Sequence, residues 1–201
     1  MTIFKHTDEA GRSMVEMLGV LAIIGVLSVG GISGYSKAMA KYKLTKAQDQ
    51  ITMLLMNIRT AYATSPSYKG LNSKAVVDYN LAPNEMVGKS GEDKVLYGTF
   101  GGEVYVGSTT GLDGSAHGTQ NLKTENEGTY FYITLTALGK EACRTLASSD
   151  WGADGLVRII VSGSGTTIKT YVTGDLPISL QTISDDKLCS GETSSITWVY
   201  Y

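Results

Sequence analysis

The sequence predicts an α+β fold, in which a long N-terminal α-helix, apolar in its first half, packs on the antiparallel β-sheet of a globular head. Three observations carry that expectation. Between Glu16 and Lys37 stand 20 residues, Met17 to Ser36, without a single charge. Beyond them Leu44, Ala47, Ile51, Leu54, Leu55, Ile58 and Tyr62 recur every three or four positions, the spacing of one helix face. After Ser65 the pattern changes to short β-branched and aromatic runs divided by glycines, which read as strands and turns. A helix followed by antiparallel strands is the order of an α+β domain, and 201 residues suffice for one such domain plus one extra element.

Taken in order, the uncharged run comes first. At about 1.5 Å per residue a helix of this length spans the roughly 30 Å hydrocarbon core of a bilayer. A secretory signal peptide competes for such a run, but Tyr35-Ser36-Lys37 makes a poor small-residue cleavage site after it. A buried core helix would need protein on all sides. No proline precedes Pro66, and Thr64-Ser65-Pro66 is a reasonable stop. One helix is therefore expected from about Ser13 to Tyr62, with Lys41, Lys46, Asp49 and Arg59 on its polar face. Residues 12–36 of it want lipid or other helices, whereas 37–64 suit the surface of a head formed by 65–201.

The stretch from Ser65 to Lys94, with Pro66, Gly70, Pro83, Gly88 and Gly91, reads as a long structured loop. Val95–Phe100 and Gly102–Val106 suggest a hairpin turning at Gly101-Gly102. Ser108 to Gly128 is polar and glycine-rich and reads as an exposed loop containing His117. Thr129–Leu135 is expected as a strand, and Ala137–Ala147 as a helix carrying Cys143. Leu156–Val161 and Ile168–Val172 should pair antiparallel across 162–167, and Ser195–Tyr201 forms a further strand.

Composition removes several functions. With 18% charged residues and a formal net charge of -2 there is no field to hold nucleic acid. His6 and His117 are the only imidazoles, and two cysteines lack the spacing of a zinc site, so no catalytic, metal or cofactor residues are expected. Asp150 and Asp154 beside Gly155 lack the ligand spacing of an EF-hand and read as a turn. Ser13-x-x-Glu16 has the form of a capping box opening a helix.

The same residues admit a second reading. Gly11, followed by Arg12-Ser13-Met14-Val15-Glu16 and then by the uncharged run, resembles the prepilin signal of type IV pilins. The resemblance implies a leader peptide of residues 1–11 and a cut between Gly11 and Arg12 by a membrane prepilin peptidase. It also implies methylation of the new N-terminus at Arg12 and an assembly role for Glu16, fifth in the mature chain, which pairs with a neighbouring subunit's terminus. Arg12 departs from the apolar residue usual at that place. Further on, Leu135-Thr136-Ala137-Leu138-Gly139-Lys140-Glu141-Ala142-Cys143, and Cys189-Ser190-Gly191 leading to Ile196-Thr197-Trp198, resemble the cysteine-bearing segments of type IVb pilins. That likeness implies a Cys143–Cys189 disulfide.

The two resemblances together imply a structural subunit of a type IV pilus that is not an enzyme. Its precursor is expected in the inner membrane with a periplasmic head, then polymerises through its N-terminal helix into an extracellular filament for adhesion, conjugation or aggregation. Its partners are copies of itself, the peptidase and an assembly machine driven by an ATPase. Lys37, Lys41, Lys43 and Lys46 after the apolar run oppose this orientation by the positive-inside tendency. A lasting disulfide requires the oxidising side, and that requirement decides the expectation. The alternatives are a minor pilin, a type II secretion pseudopilin, or a membrane-anchored periplasmic enzyme or binding protein.

Overall fold

The structure is a computed structural model that describes residues 9–91, 93–110, 128–152, 154–162, 168–185, 188–191 and 193–201. The chain divides into two units, Met1–Tyr42 and Lys43–Tyr201. The first helix, α1 (Glu9–Ala61), contributes to both and is 53 residues long. It starts earlier than the expected Ser13, which corrects the capping-box reading: Ser13 lies inside the helix rather than at its cap. Glu9 and Ala10 are good helix formers and the single Gly11 costs only about 1 kcal/mol against alanine, so nothing local stops the helix at Ser13. In the first unit the side chains from Met14 to Ala38 are exposed.

The second unit is an α+β head. Its further elements are α2 (Ser73–Asp78), β1 (Val87–Ser90), β2 (Asp93–Leu96), β3 (Val104–Thr109), β4 (Tyr130–Leu138), α3 (Lys140–Ser148), β5 (Leu156–Ser162), β6 (Ile168–Val172), α4 (Leu180–Asp185) and β7 (Ser194–Tyr200). β1 and β2 form a small ribbon; the other five strands make one sheet in the order β3-β4-β7-β5-β6. All its pairings are antiparallel. The strand that comes last in sequence thus lies in the middle, and Trp198 stands between Ile133 of β4 and Ile159 of β5.

Side chains alternate across a strand, so one face of the sheet gathers Phe131, Ile133, Leu135, Ile159, Val161, Ile196, Trp198 and Tyr200. These pack in one core with Ala47, Ile51, Leu54 and Ile58 of α1. Leu44, Leu55 and Tyr62 are half-buried against it. The alternate positions Tyr132, Ile160 and Val199 form a second, smaller cluster, and a buried Thr134–Thr197 hydroxyl bond of 2.8 Å joins β4 to β7.

Four expectations are corrected. The stretch 65–94 is not a loop: Asn72 caps α2 by accepting from the Ala75 amide at 2.9 Å, and residues 87–96 form the β1–β2 ribbon. The hairpin at Gly101-Gly102 reduces to one Tyr97–Glu103 bridge, because β2 pairs with β1 while β3 pairs with β4. Gly101 takes a positive φ of 83°, and a Cβ on Gly102 would stand 2.2 Å from the Thr136 carbonyl oxygen, so this turn lies against β4 instead of closing a free hairpin. Ser108 and Thr109 are buried in β3, not in an exposed loop. Finally, α3 starts at Lys140 rather than Ala137, because Ala137 adopts a left-handed φ of 57° where the β4–β7 register shifts. His6, His117 and the span 111–127 lie outside the described residues.

Candidate assembly segment and head clamp

Two features carry chemistry beyond packing. The first is the uncharged part of α1, which is long and apolar enough to cross a membrane and buries none of its side chains in the chain itself. From Val20 at 51% to Val26 at 75%, its large apolar residues face outward on every side. A helix apolar all round belongs in lipid or among other helices, and its internal hydrogen bonds let it sit in either. A Cβ on Gly19, Gly25, Gly30, Gly31 or Gly34 would meet nothing within 4 Å. Gly30 and Gly34, four apart, let another helix backbone approach closely. Glu16 is exposed at the start of this segment. The Gly11–Arg12 bond lies within the helical backbone, with Arg12 four positions before Glu16, the spacing of neighbours on a helix surface.

The second feature clamps the head. Cys143 of α3 and Cys189, just before β7, are joined by a disulfide with Cα atoms 5.7 Å apart, and both are fully buried. It ties α3 to the segment leading into the central strand. On that strand Trp198 meets Trp151 edge-on at 4.7 Å, and Trp151 Nε1 donates to the Leu146 carbonyl of α3 at 2.8 Å.

α1 holds the far end of β7 through Arg59, whose guanidinium sits 5.4 Å from the centre of the Tyr200 ring. Its Nη2 donates to the Asp154 carbonyl at 2.5 Å. A Cβ on Gly155 would lie 2.4 Å from that nitrogen, and Gly155 has a φ of +74°. The left-handed backbone favours glycine there, and a larger residue would push the Arg59 guanidinium aside. Burial raises the Tyr200 phenol well above its usual range, partly offset by the Arg59 charge.

Nearer the start of the head-packed stretch of α1, Lys46 forms an ion pair of 2.8 Å with Glu85, and Gln50 Nε2 donates to the same carboxylate at 2.7 Å. Thr99 donates to Gln50 Oε1 at 2.7 Å. The Lys46 hydrogen bond, followed by that of Gln50, holds the Glu85 carboxyl below the ordinary carboxylate range. Lys46 and Arg59, placed on the polar face by the sequence, both hold partners in the head. Gln50 and Glu85 escaped the sequence reading, and Arg59 was placed on the polar face without its partners; its only signal was a basic residue in the last turn of a helix, which commonly faces solvent. Asp150 makes a turn, accepting from the Gly152 amide at 2.9 Å.

A family profile described as Bundlin matches residues 37–200. The major structural subunits of bundle-forming pilus from Escherichia coli O127:H6 and O111:H- are each 28% identical over 150 residues, covering 75% of this chain and 69% of theirs. Among solved structures, the type IV b pilin from Salmonella typhi aligns with a TM-score of 0.49 at 16% identity, covering 80% of this chain and 97% of that one. TcpA, a type IV pilin from Vibrio cholerae El Tor biotype, aligns with a TM-score of 0.48 at 17% identity, covering 80% and 99%. The profile spans most of the chain, including both cysteines and every described strand of the head, and the chain therefore belongs to the bundlin family, a family of structural pilus subunits rather than of enzymes.

Proposed function

We propose that this chain is the major subunit of a type IV pilus, made as a membrane-held precursor and polymerised through α1. The carrying observation is the wholly exposed, uncharged segment of one helix attached to a head whose core is complete without it. Covering that segment with lipid before assembly and with other copies afterwards removes apolar surface from water at about 25 cal/mol per Å², which drives both states. The disulfide suits a head on the periplasmic side and then outside the cell. Cleavage after Gly11 by a prepilin peptidase frees the amino group of Arg12, which is then methylated. An assembly machine with an ATPase extracts the subunit from the inner membrane. The likeness to major structural subunits favours this reading over a minor pilin or a pseudopilin.

Glu16 couples processing to polymerisation. A carboxylate beside 20 uncharged residues costs several kcal/mol when left unpaired on burial, about 3–5 in measured cases. An incoming subunit's amino terminus supplies the counter-charge. Electron microscopy and N-terminal mass spectrometry of filaments sheared from cells test the whole reading. The expected result is filaments composed mainly of this chain, beginning at a methylated Arg12; an intact Met1, or a cut after Ser36, refutes it. Glu16→Gln should be processed normally and stay in the membrane, yet form few filaments. Normal piliation of that variant would show that Glu16 has no part in assembly.

A further inference from the structure

We propose that Lys37, Lys41 and Lys43 of α1 form a collar that binds the headgroups of anionic phospholipids, so that the membrane-held subunit gathers a shell of acidic lipid around itself. The inference rests on the membrane-held precursor of the reading above and adds the class of lipid it takes. These lysines oppose the expected orientation by the positive-inside tendency, and none of them packs in the core of the head.

α1 supplies them with no counter-charge. Between Glu16 and Asp49 lie 32 residues whose only charges are Lys37, Lys41, Lys43 and Lys46. Lys46 turns to Glu85 in the head, at 2.8 Å. The other three are exposed and make no ion pair among the described residues. Lys37 and Lys41 stand four apart, where like charges on a helix repel each other. Bases that repel one another and lack an acid on their own chain take their counter-charge from outside it.

Their position says which anion that is. Lys37 is the first residue past the 20 uncharged ones, whose helical length matches the hydrocarbon core. By helix rise Lys41 and Lys43 follow about 6 and 9 Å further on, and the headgroup layer on each side is roughly 5–8 Å thick. Lys37 and Lys41 thus lie at headgroup depth, and the long Lys43 side chain reaches back to it by snorkelling. At about 100° per residue Lys41 is about 40° and Lys43 about 120° from Lys37, on opposite sides of it. The exposed rings of Tyr35 and Tyr42 fall in the sector between Lys41 and Lys43, and such rings settle at the membrane–water interface. Charges spread around a helix suit a surrounding lipid layer better than contact with one protein surface. Acidic lipid attracts basic segments beside a membrane span.

Spin-labelled lipids test this on the full chain. The subunit is reconstituted in phosphatidylcholine vesicles, and electron paramagnetic resonance compares the motionally restricted fractions of spin-labelled phosphatidylglycerol and phosphatidylcholine. One lysine favours an anionic surface roughly fivefold, so the expected preference for phosphatidylglycerol is about threefold or more at low salt. It should fall to parity in about 1 M salt, where the Debye length is about 3 Å.

Lys37→Gln/Lys41→Gln/Lys43→Gln changes exposed positions only and keeps helix propensity, so the variant folds and inserts. It should lose the preference, and Lys→Arg at all three positions should keep it. Equal restriction of the two lipids by the wild-type chain overturns the inference, while flotation of that chain with the vesicles upholds the membrane-held reading. A preference that survives in the Gln variant belongs to another part of the chain and also overturns it. Parity in the wild type, with loss of filaments from cells carrying the Gln variant, assigns the collar to an acidic protein surface instead. A chain that does not float with vesicles overturns the membrane-held reading and the inference together.

Discussion

Residues 17–36 and 43–61 of α1 are both rich in leucine and isoleucine, yet they treat that surface in opposite ways. In the first, every apolar side chain is exposed. In the second, Ala47, Ile51, Leu54 and Ile58 fall to 1% exposure or less, while Lys43, Asp49 and the methionines stay outside. What differs is arrangement. Charges placed between the apolar positions leave the second stretch one sticky face, and the sheet of the same chain covers it. Without charges the first stretch has no face to choose, so its cover must come from outside the chain. Apolar content decides that a helix is covered; the spacing of its charges decides by what.

The comparison can be broken first at the clamp. Cys143→Ser releases a loop of 46 positions and should lower head stability by about 4 kcal/mol on the chain-entropy estimate, read as denaturant midpoint or protease resistance. The proposed cut after Gly11 should be unchanged, because it lies more than 100 residues from either cysteine in the sequence. Next, Leu54→Ala removes a fully buried side chain of α1 and should cost about 3 kcal/mol in thermal or denaturant unfolding. Its counterpart Leu21→Ala, at a position 60% exposed, should change head unfolding by no more than about 0.5 kcal/mol in detergent. Equal effects at the two positions would dissolve the distinction between the stretches.

The smallest effect sharpens how the second stretch is held. The Glu85 carboxyl is held below its ordinary range by Lys46 and Gln50, so its contribution is present above the unfolded-state value and lost as pH falls through the lower folded one. Glu85→Gln should therefore be less stable than the wild type near neutral pH, and the gap should close in acid. Urea titrations at several pH values check this, and a gap widening in acid contradicts it.

The helix was legible because its two patterns are long: 20 uncharged residues and seven apolar positions at helical spacing. The strands β4 to β7 were legible from β-branched and aromatic runs. The stretch 65–94 was not, because its elements depend on distant partners. Asn57 of α1 donates to the Leu81 carbonyl at 2.7 Å, Gln50 reaches Glu85, and α2 leans on β3, where Ser73 Oγ accepts from the Val106 amide at 2.9 Å. No local window contains those pairs. The false hairpin arose likewise, since β3 takes a partner beginning at Tyr130 rather than its nearest neighbour. Of the candidate sites, Gly11, Arg12 and Glu16 came from a motif and the cysteines from a resemblance. Arg59 carried no such mark, because its role depends on a ring at Tyr200.

The central place of β7 also bears on how the subunit is made. Before Ser194–Tyr200 leaves the ribosome, β3-β4 and β5-β6 are two ribbons with nothing between them, and each presents an open strand edge that another chain could join. Pairings this distant in sequence form late and slowly. The uncharged stretch 17–36, by contrast, packs on nothing made later in the chain. The head thus stays unfinished through most of synthesis, and a product truncated before Ser194 can neither join its ribbons nor, if it stops before Cys189, oxidise its clamp. Completion of the sheet is in effect a test of full length.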